Sequence, residues 1–300
     1  MAFFRRGQQA PRLAPELDDT ALGRVLKAVG SARGPGPQDL VIAQVERLLQ
    51  DTRDDWDRRC HRVRVLAAAA PALARGWRLR RPRDPDALLL HGWSELPADP
   101  RAATAAFRLA ADALPGDPTP WVGALAALRL LARPSTELTP VWREIHARDP
   151  WHREAHLQML GYLSPEEQGS QMALRDFVED VIAVMPYGVP AACLPLTAAV
   201  RQYHRDLDSG GIRAIGLGRY WSQPHVAPLL DQALDHWLRP SHPRHAAVVA
   251  DLGLLAYALA RALRPGDAAP VFDAIGGLVT AWPWGHDGDP VERYTYWSRR

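Results

Sequence analysis

The stretch DPDALLLHGWSELPADPRAATAAFRLAADALPGDP, residues 84–118, decides the fold. Within it an apolar run, a break at Pro97 and an alanine-rich run predict a helix, a turn and a second helix. Asp-Pro dipeptides at Asp84, Asp117 and Asp149 stand 33 and 32 residues apart. A period of about 34 residues is typical of stacked helix pairs. The sequence therefore predicts a repeated helical hairpin.

The alanine-rich run has the spacing of one helical face. Ala103, Phe107 and Ala110 lie three or four residues apart, and Pro115 follows where the helix should end. A small residue on such a face lets a neighbouring helix approach, and an aromatic ring fills the remaining gap. The spacing predicts that Phe107 is buried between helices.

This pattern resembles the second helix of a tetratricopeptide repeat, in which Ala, an aromatic residue, Ala and Pro stand at these offsets. Trp121 then falls where the next repeat of that family carries a Trp in its first helix. Trp142 and Val178 lie eight residues before a proline, as Phe107 does. The resemblance covers residues 84–190.

The sequence also departs from the family. The glycine of the family's first helix is replaced by His91, Leu125 and Leu160, and the third unit has about two extra residues between Ser164 and Ser170. The chain is therefore tetratricopeptide-like and not a regular member.

The resemblance implies an all-α fold, a right-handed superhelix of antiparallel helix pairs (a TPR-like α-solenoid), whose first helices line a concave groove. Such folds usually present this surface to partners. The groove positions carried over from the family are Leu88, Glu95, Val122, Ala126, Arg129, Glu154 and Leu157.

Changes of pattern divide the chain into five segments. Proline and glycine clusters and shifts in helical periodicity mark their borders. The predicted segments are an extended N-terminal arm (1–16), an N-terminal helical region (17–83), the TPR-like repeat block (84–190), a C-terminal helical region (191–281) and an aromatic-rich tail (282–300).

The composition predicts a folded protein and names no partner. The chain has 300 residues, 47% of them hydrophobic, and a formal net charge of +2. Only Lys27 is a lysine, and an excess of arginine resembles coding from a GC-rich actinobacterial genome. The two cysteines fit a reducing compartment. With neither a secretory signal nor a membrane-spanning run, we expect a cytoplasmic protein with no membrane partner.

Two histidines are the strongest catalytic motif. His152 and His156 stand four residues apart, on one face of a helix, where both imidazoles reach one Zn²⁺. However, Arg153 occupies the position where metalloproteases carry Glu, and His156 falls at a helix-packing position of the repeat. We interpret both as structural and expect no cofactor. A helical metal-dependent enzyme that uses this pair is the alternative.

The basic residues cluster once, between Arg58 and Arg83. A run of this kind can hold phosphates, which suggests a regulatory module acting on transcription as a further alternative. No aromatic platform beyond Trp77 accompanies it, so we interpret it as a solvated helical face and consider a nucleic-acid partner unlikely. The favoured function is a non-catalytic scaffold or adaptor that binds a protein or peptide.

The tail is rich in aromatic residues, with Trp282, Trp284, Tyr294, Tyr296 and Trp297 close together. Helical stacks need their terminal pair covered. The tail is therefore predicted to fold back as a cap. An aromatic segment offered to another protein is the alternative.

Overall fold

The computed structural model of the protein is helical nearly throughout, with 72% helix. It describes residues 10–31, 35–52, 54–211, 216–239 and 241–300, so most of the predicted arm, residues 1–9, lies outside this part. Among the described residues the strands are two, of two residues each, β1 (Arg12–Leu13) and β2 (Leu278–Val279). The predicted all-α class is confirmed.

The α-helices follow one another along the chain. In the described ranges, three 3-10 turns lie between them, at Pro190–Cys193, Leu217–Ser222 and Trp284–Asp287. The helices are α1 (Thr20–Ser31), α2 (Pro35–Gln50), α3 (Trp56–Ala69), α4 (Pro71–Arg80), α5 (Pro85–Glu95), α6 (Pro100–Ala113), α7 (Thr119–Leu130), α8 (Ser135–Arg148), α9 (Arg153–Tyr162), α10 (Gln171–Val184), α11 (Leu194–Ser209), α12 (Ala227–Trp237), α13 (Val248–Arg261), α14 (Pro265–Ile275) and α15 (Pro290–Ser298).

The repeated Asp-Pro dipeptides stand before helices. The Asp84 carboxylate accepts hydrogen bonds from the backbone N–H of Asp86 and Ala87, and Pro85 takes the first helical position. Proline is favoured there because the first N–H of a helix has no partner within the helix. Asp117 accepts from the N–H of Thr119 at 2.7 Å. The sequence period thus marks the amino ends of α5 and α7, which are alternate helices of the chain.

Residues 19–185 and 189–191 form one compact body, the amino-terminal unit. Its helices pack in chain order, α5 against α6, α6 against α7 and α7 against α8. Alternate helices also touch, because α7 contacts both α5 and α9. The helices α5, α7 and α9 are therefore neighbours in one layer, and α6 packs across the first two.

Phe107 of α6 joins three helices. Its side chain is fully buried, and its ring meets Trp93 edge to face with centroids 5.7 Å apart. A Cβ added at Gly92 of α5 would lie 2.6 Å from this ring, and one added at Gly123 of α7 would lie 2.5 Å from it. Gly92 and Gly123 are thus the glycines that leave room for the ring. They do not fall at His91 and Leu125, the positions that correspond to the glycine of the family pattern.

Residues 192–300 form the carboxy-terminal unit with residues 10–18 and 186–188. Its central helix is α13, which contacts α11, α12 and α14 and is buried along nearly its whole length. β1 pairs in parallel with β2, with Arg12 opposite Leu278. The described part of the predicted arm therefore belongs to this unit.

The aromatic tail packs onto α13 and α14. Trp284 is 1% exposed and meets Tyr257 of α13 edge to face, with centroids 5.2 Å apart. Tyr294 is 2% exposed and packs against Phe272 of α14. Trp282, at the start of the tail, is exposed. The inner part of the tail is therefore core, as a cap requires.

Across the described ranges, every helix is too short or too polar to cross a membrane. Cys60 and Cys193 are both buried, and burial raises the pKa of Cys60 well above its ordinary value.

Candidate functional site

The predicted groove residues lie in the amino-terminal unit, and three of them are in its core. Leu88, Val122 and Ala126 are at most 2% exposed. They belong to the same core cluster as Phe107. Their side chains pack inside the unit and do not face solvent. These three groove positions are therefore not part of an open surface.

Helix α3 is the reason for this burial. It contacts α5, α7 and α9, the three helices that would line the groove. Its apolar residues Cys60, Val63 and Leu66 join the core cluster that contains the buried groove positions. A segment of the chain itself therefore packs against the helices that the resemblance assigns to partner binding.

Arg59 fixes the amino end of α3. It is 5% exposed, and its Nε donates to Asp117 Oδ2 at 2.6 Å. Its Nη2 donates to Asp86 in the first turn of α5. One guanidinium thus joins α3 to the starts of α5 and α7, and its pKa is raised by these carboxylates although burial acts in the opposite direction.

Arg62 ties the other side of α3 to earlier helices. It donates to Asp19, which stands just before α1, at 2.7 Å and to the backbone oxygen of Leu48 in α2. It is 6% exposed. The interpretation of the arginine cluster as a solvated face is therefore wrong for Arg59 and Arg62. Their guanidinium groups make their hydrogen bonds inside the unit and are not available to phosphates.

Glu154 anchors α9 to α3. It is 6% exposed, and it accepts from Arg64 of α3 and from Gln158 of its own helix. Asp57 at the start of α3 accepts from the backbone N–H of Arg153 at 3.0 Å. A predicted groove residue, Glu154, therefore serves as a contact between two helices of the same chain.

His152 lies at the amino end of α9 and acts as its cap. Its Nδ1 accepts from the N–H of Ala155 at 3.4 Å, which requires the neutral tautomer with Nδ1 unprotonated. The side chain is fully buried, and this burial lowers its pKa. Asp57 Oδ1 lies 3.8 Å from the same nitrogen.

His156 lies among aromatic rings. It stacks on Trp151 and Phe177 and meets Trp142 edge to face at 5.1 Å. Burial lowers its pKa to about 4. In the described ranges, no three His, Cys, Asp or Glu side chains are grouped so as to hold a metal ion. His152 thus caps α9, and His156 packs among the rings beside it.

The remaining three groove positions are partly exposed. Arg129 of α7 holds Glu167 through two nitrogens at 2.7 Å and donates to Gln158 of α9 at 2.6 Å. Leu157 precedes Gln158 in α9 and is half-buried. Glu95 lies at the end of α5, where its carboxylate is 3.4 Å from Arg75. Arg129 and Gln158 therefore join α7 to α9, and we call this surface, with the neighbouring Leu157, the α7–α9 edge.

The arginine network of α3 was missed by sequence reasoning. One signal for it was present, because the Asp-Pro period places carboxylates at the same end of alternate helices. A buried guanidinium near those ends would satisfy them. Nothing local in the sequence tells Arg59 from Arg58, whose side chain is 35% exposed.

Comparison with known proteins identifies no relative of this chain. No protein-family model, no curated protein and no solved structure matches the chain. The site is therefore characterised by its own geometry.

Proposed function

We propose that the protein is a helical-repeat scaffold that binds a protein or peptide. The observation that carries the proposal is the packing order of the amino-terminal unit, in which α5, α7 and α9 adjoin and α6 and α8 follow them pairwise. A right-handed superhelix of TPR-like pairs is the arrangement we propose for these helices. Folds of this type serve mainly as platforms for partners.

In this proposal the partner binds at the α7–α9 edge, beside α3. Leu157 offers an apolar contact, and Arg129 offers guanidinium nitrogens that already hold a carboxylate and an amide. Arginine is enriched in the centres of protein interfaces. The proposed site therefore contains Arg129 and Leu157, two of the seven predicted groove residues. The buried groove residues belong to the core.

The test is affinity purification of the tagged full chain from its native host, with mass spectrometry and then direct binding of the purified partner by calorimetry. Wild type is compared with Leu157→Arg at the edge and with Leu109→Arg on α6, whose side chain is 50% exposed. We expect one partner that binds wild type and Leu109→Arg alike and binds Leu157→Arg at least about tenfold more weakly.

Both variants must keep the melting temperature of wild type. A partner that binds Leu157→Arg as well as wild type would remove the α7–α9 edge from the proposal. Failure to recover any stoichiometric partner would remove the scaffold function itself.

A further inference from the structure

Two histidines of the carboxy-terminal unit are stacked face to face. His204 lies on α11, and His286 lies in the 3-10 turn Trp284–Asp287 that precedes α15. Their ring centroids are 3.7 Å apart, and the ring planes differ by 6°. The stack joins α11 directly to the chain segment 281–300, which we call the closing segment.

Each ring is held by a further partner. His204 Nε2 lies 2.8 Å from the hydroxyl oxygen of Tyr257 on α13. His286 Nε2 lies 3.0 Å from Oδ1 of Asp208, one turn after His204 on α11. His204 is 5% exposed, so water does not solvate its ring. The pair is thus fixed in position by α11 and α13.

Charged and titratable groups surround His204 on three sides. The closing segment covers it with His286, Trp282 and Asp287, so removal of that segment would expose the ring to water. The groups that face it are Tyr203 and Asp208 of α11, Tyr257 and Arg261 of α13, and Trp282, His286 and Asp287 of the closing segment.

We propose that this stack is an acid-sensitive latch, in which a proton on His204 releases the closing segment from α11 and α13. A buried imidazolium lacks hydration, and here it would also face the His286 ring and the Arg261 cation. Release of the segment hydrates the ring and removes the His286 ring from it, and water then screens the charge of Arg261, which stays on α13. The open form uncovers the apolar surface around Trp284 and Phe272.

The electrostatics of the closed form agree with this direction. Burial first, and then His286 and Arg261, lower the pKa of His204 to about 3, although Asp208 and Asp287 act the other way. A histidine in water has a pKa of about 6.5. Below that pH the open form takes up a proton that the closed form rejects, so the opening equilibrium should rise about tenfold per pH unit.

The test is hydrogen exchange followed by mass spectrometry on the full chain between pH 7.5 and 4.5, with exchange rates corrected for the intrinsic effect of pH. Peptides from 281–300 report the closing segment, and peptides from α13 report the core of the same unit. We expect opening of the closing segment to rise about tenfold per pH unit below about pH 6.5, while α13 stays protected.

Two variants remove the titrating group in different ways. His204→Gln keeps a hydrogen-bonding group opposite Tyr257, and His204→Phe keeps a ring beside His286. Either variant that folds should show opening that does not change with pH in this range. His225→Gln, at an exposed position of the same unit, should behave as wild type.

Three results would overturn the latch. One is a closing segment of wild type whose opening does not change with pH. Another is an unchanged pH dependence in a folded His204 variant. The third is loss of protection in α13 together with the closing segment, which would mean that acid unfolds the whole unit.

Discussion

Phe107 shows how one side chain connects the helices of the amino-terminal unit. Its ring fills the space left by Gly92 and Gly123 and has no exposed surface. Phe107→Ala should therefore lower the free energy of unfolding by about 3–5 kcal/mol, since it leaves a cavity between three helices. Urea denaturation followed by circular dichroism measures this. Leu109→Ala, two residues away and half exposed, should change stability by less than about 0.5 kcal/mol.

At the same scale, the sequence predicts the contacts of some residues and not those of others. Burial of Phe107 follows from its spacing, because three residues of one helical face specify a contact. The glycines opposite it do not follow, because the family register points to His91 and Leu125. Arg59 is unpredictable for another reason, since its carboxylate partners lie 27 and 58 residues away along the chain.

At the scale of elements, α3 is held across α5 and α7 by a buried charge. Asp117→Asn keeps an oxygen that can accept from Thr119 but removes the charge opposite Arg59. A buried cation that loses a carboxylate is costly, and we expect a loss of about 3 kcal/mol in the urea-derived free energy of unfolding. Glu137→Gln breaks an exposed pair with Arg133 and should change stability little.

Equal effects of these two substitutions would contradict the role of Arg59. In that case the pair of Arg59 and Asp117 would not be what holds α3 against α7.

The closing segment is the second element with a testable role. Deletion of residues 282–300 removes Trp284 and Tyr294 from the core and uncovers Tyr257 and Phe272. The melting temperature should fall by several degrees, and binding of a dye specific for apolar surface should rise. Removal of only Arg299 and Arg300, both exposed, is the control. A deletion that melts as wild type does would show that the tail is no cap.

At the scale of the whole molecule, the sequence predicts the fold class and the order of helices better than their assembly. Helical periodicity, Asp-Pro starts and the Phe107 face are local signals, and the helices they predict are present. The placement of α3 over α5, α7 and α9 depends on contacts between distant residues. The pairing of β1 with β2 joins opposite ends of the chain and has no local signal. The placement of α3 decides which predicted groove residues are accessible.

Buried imidazoles should make stability depend on pH. Burial lowers the pKa of His61 and of His156 to about 4, from an ordinary 6.5. Because the folded pKa lies below the unfolded one, the unfolded chain binds more protons as the pH falls. Stability should be complete above about pH 6.5 and decline toward pH 4, by up to about 1.4 kcal/mol per pH unit for each of these residues.

Urea denaturation at pH 7.5, 6.5, 5.5 and 4.5 measures this decline. Burial also raises the pKa of Asp86 and Asp149, and these carboxyls oppose the decline at the acid end of the range. The difference between wild type and His156→Phe isolates one imidazole, because phenylalanine keeps a ring between Trp151 and Phe177 without taking up a proton. His156→Phe should lose less stability on acidification than wild type. The free energy of unfolding should fall less steeply with decreasing pH, by up to about 1.4 kcal/mol per pH unit. Parallel slopes for the two proteins would mean that His156 already accepts a proton in the folded state.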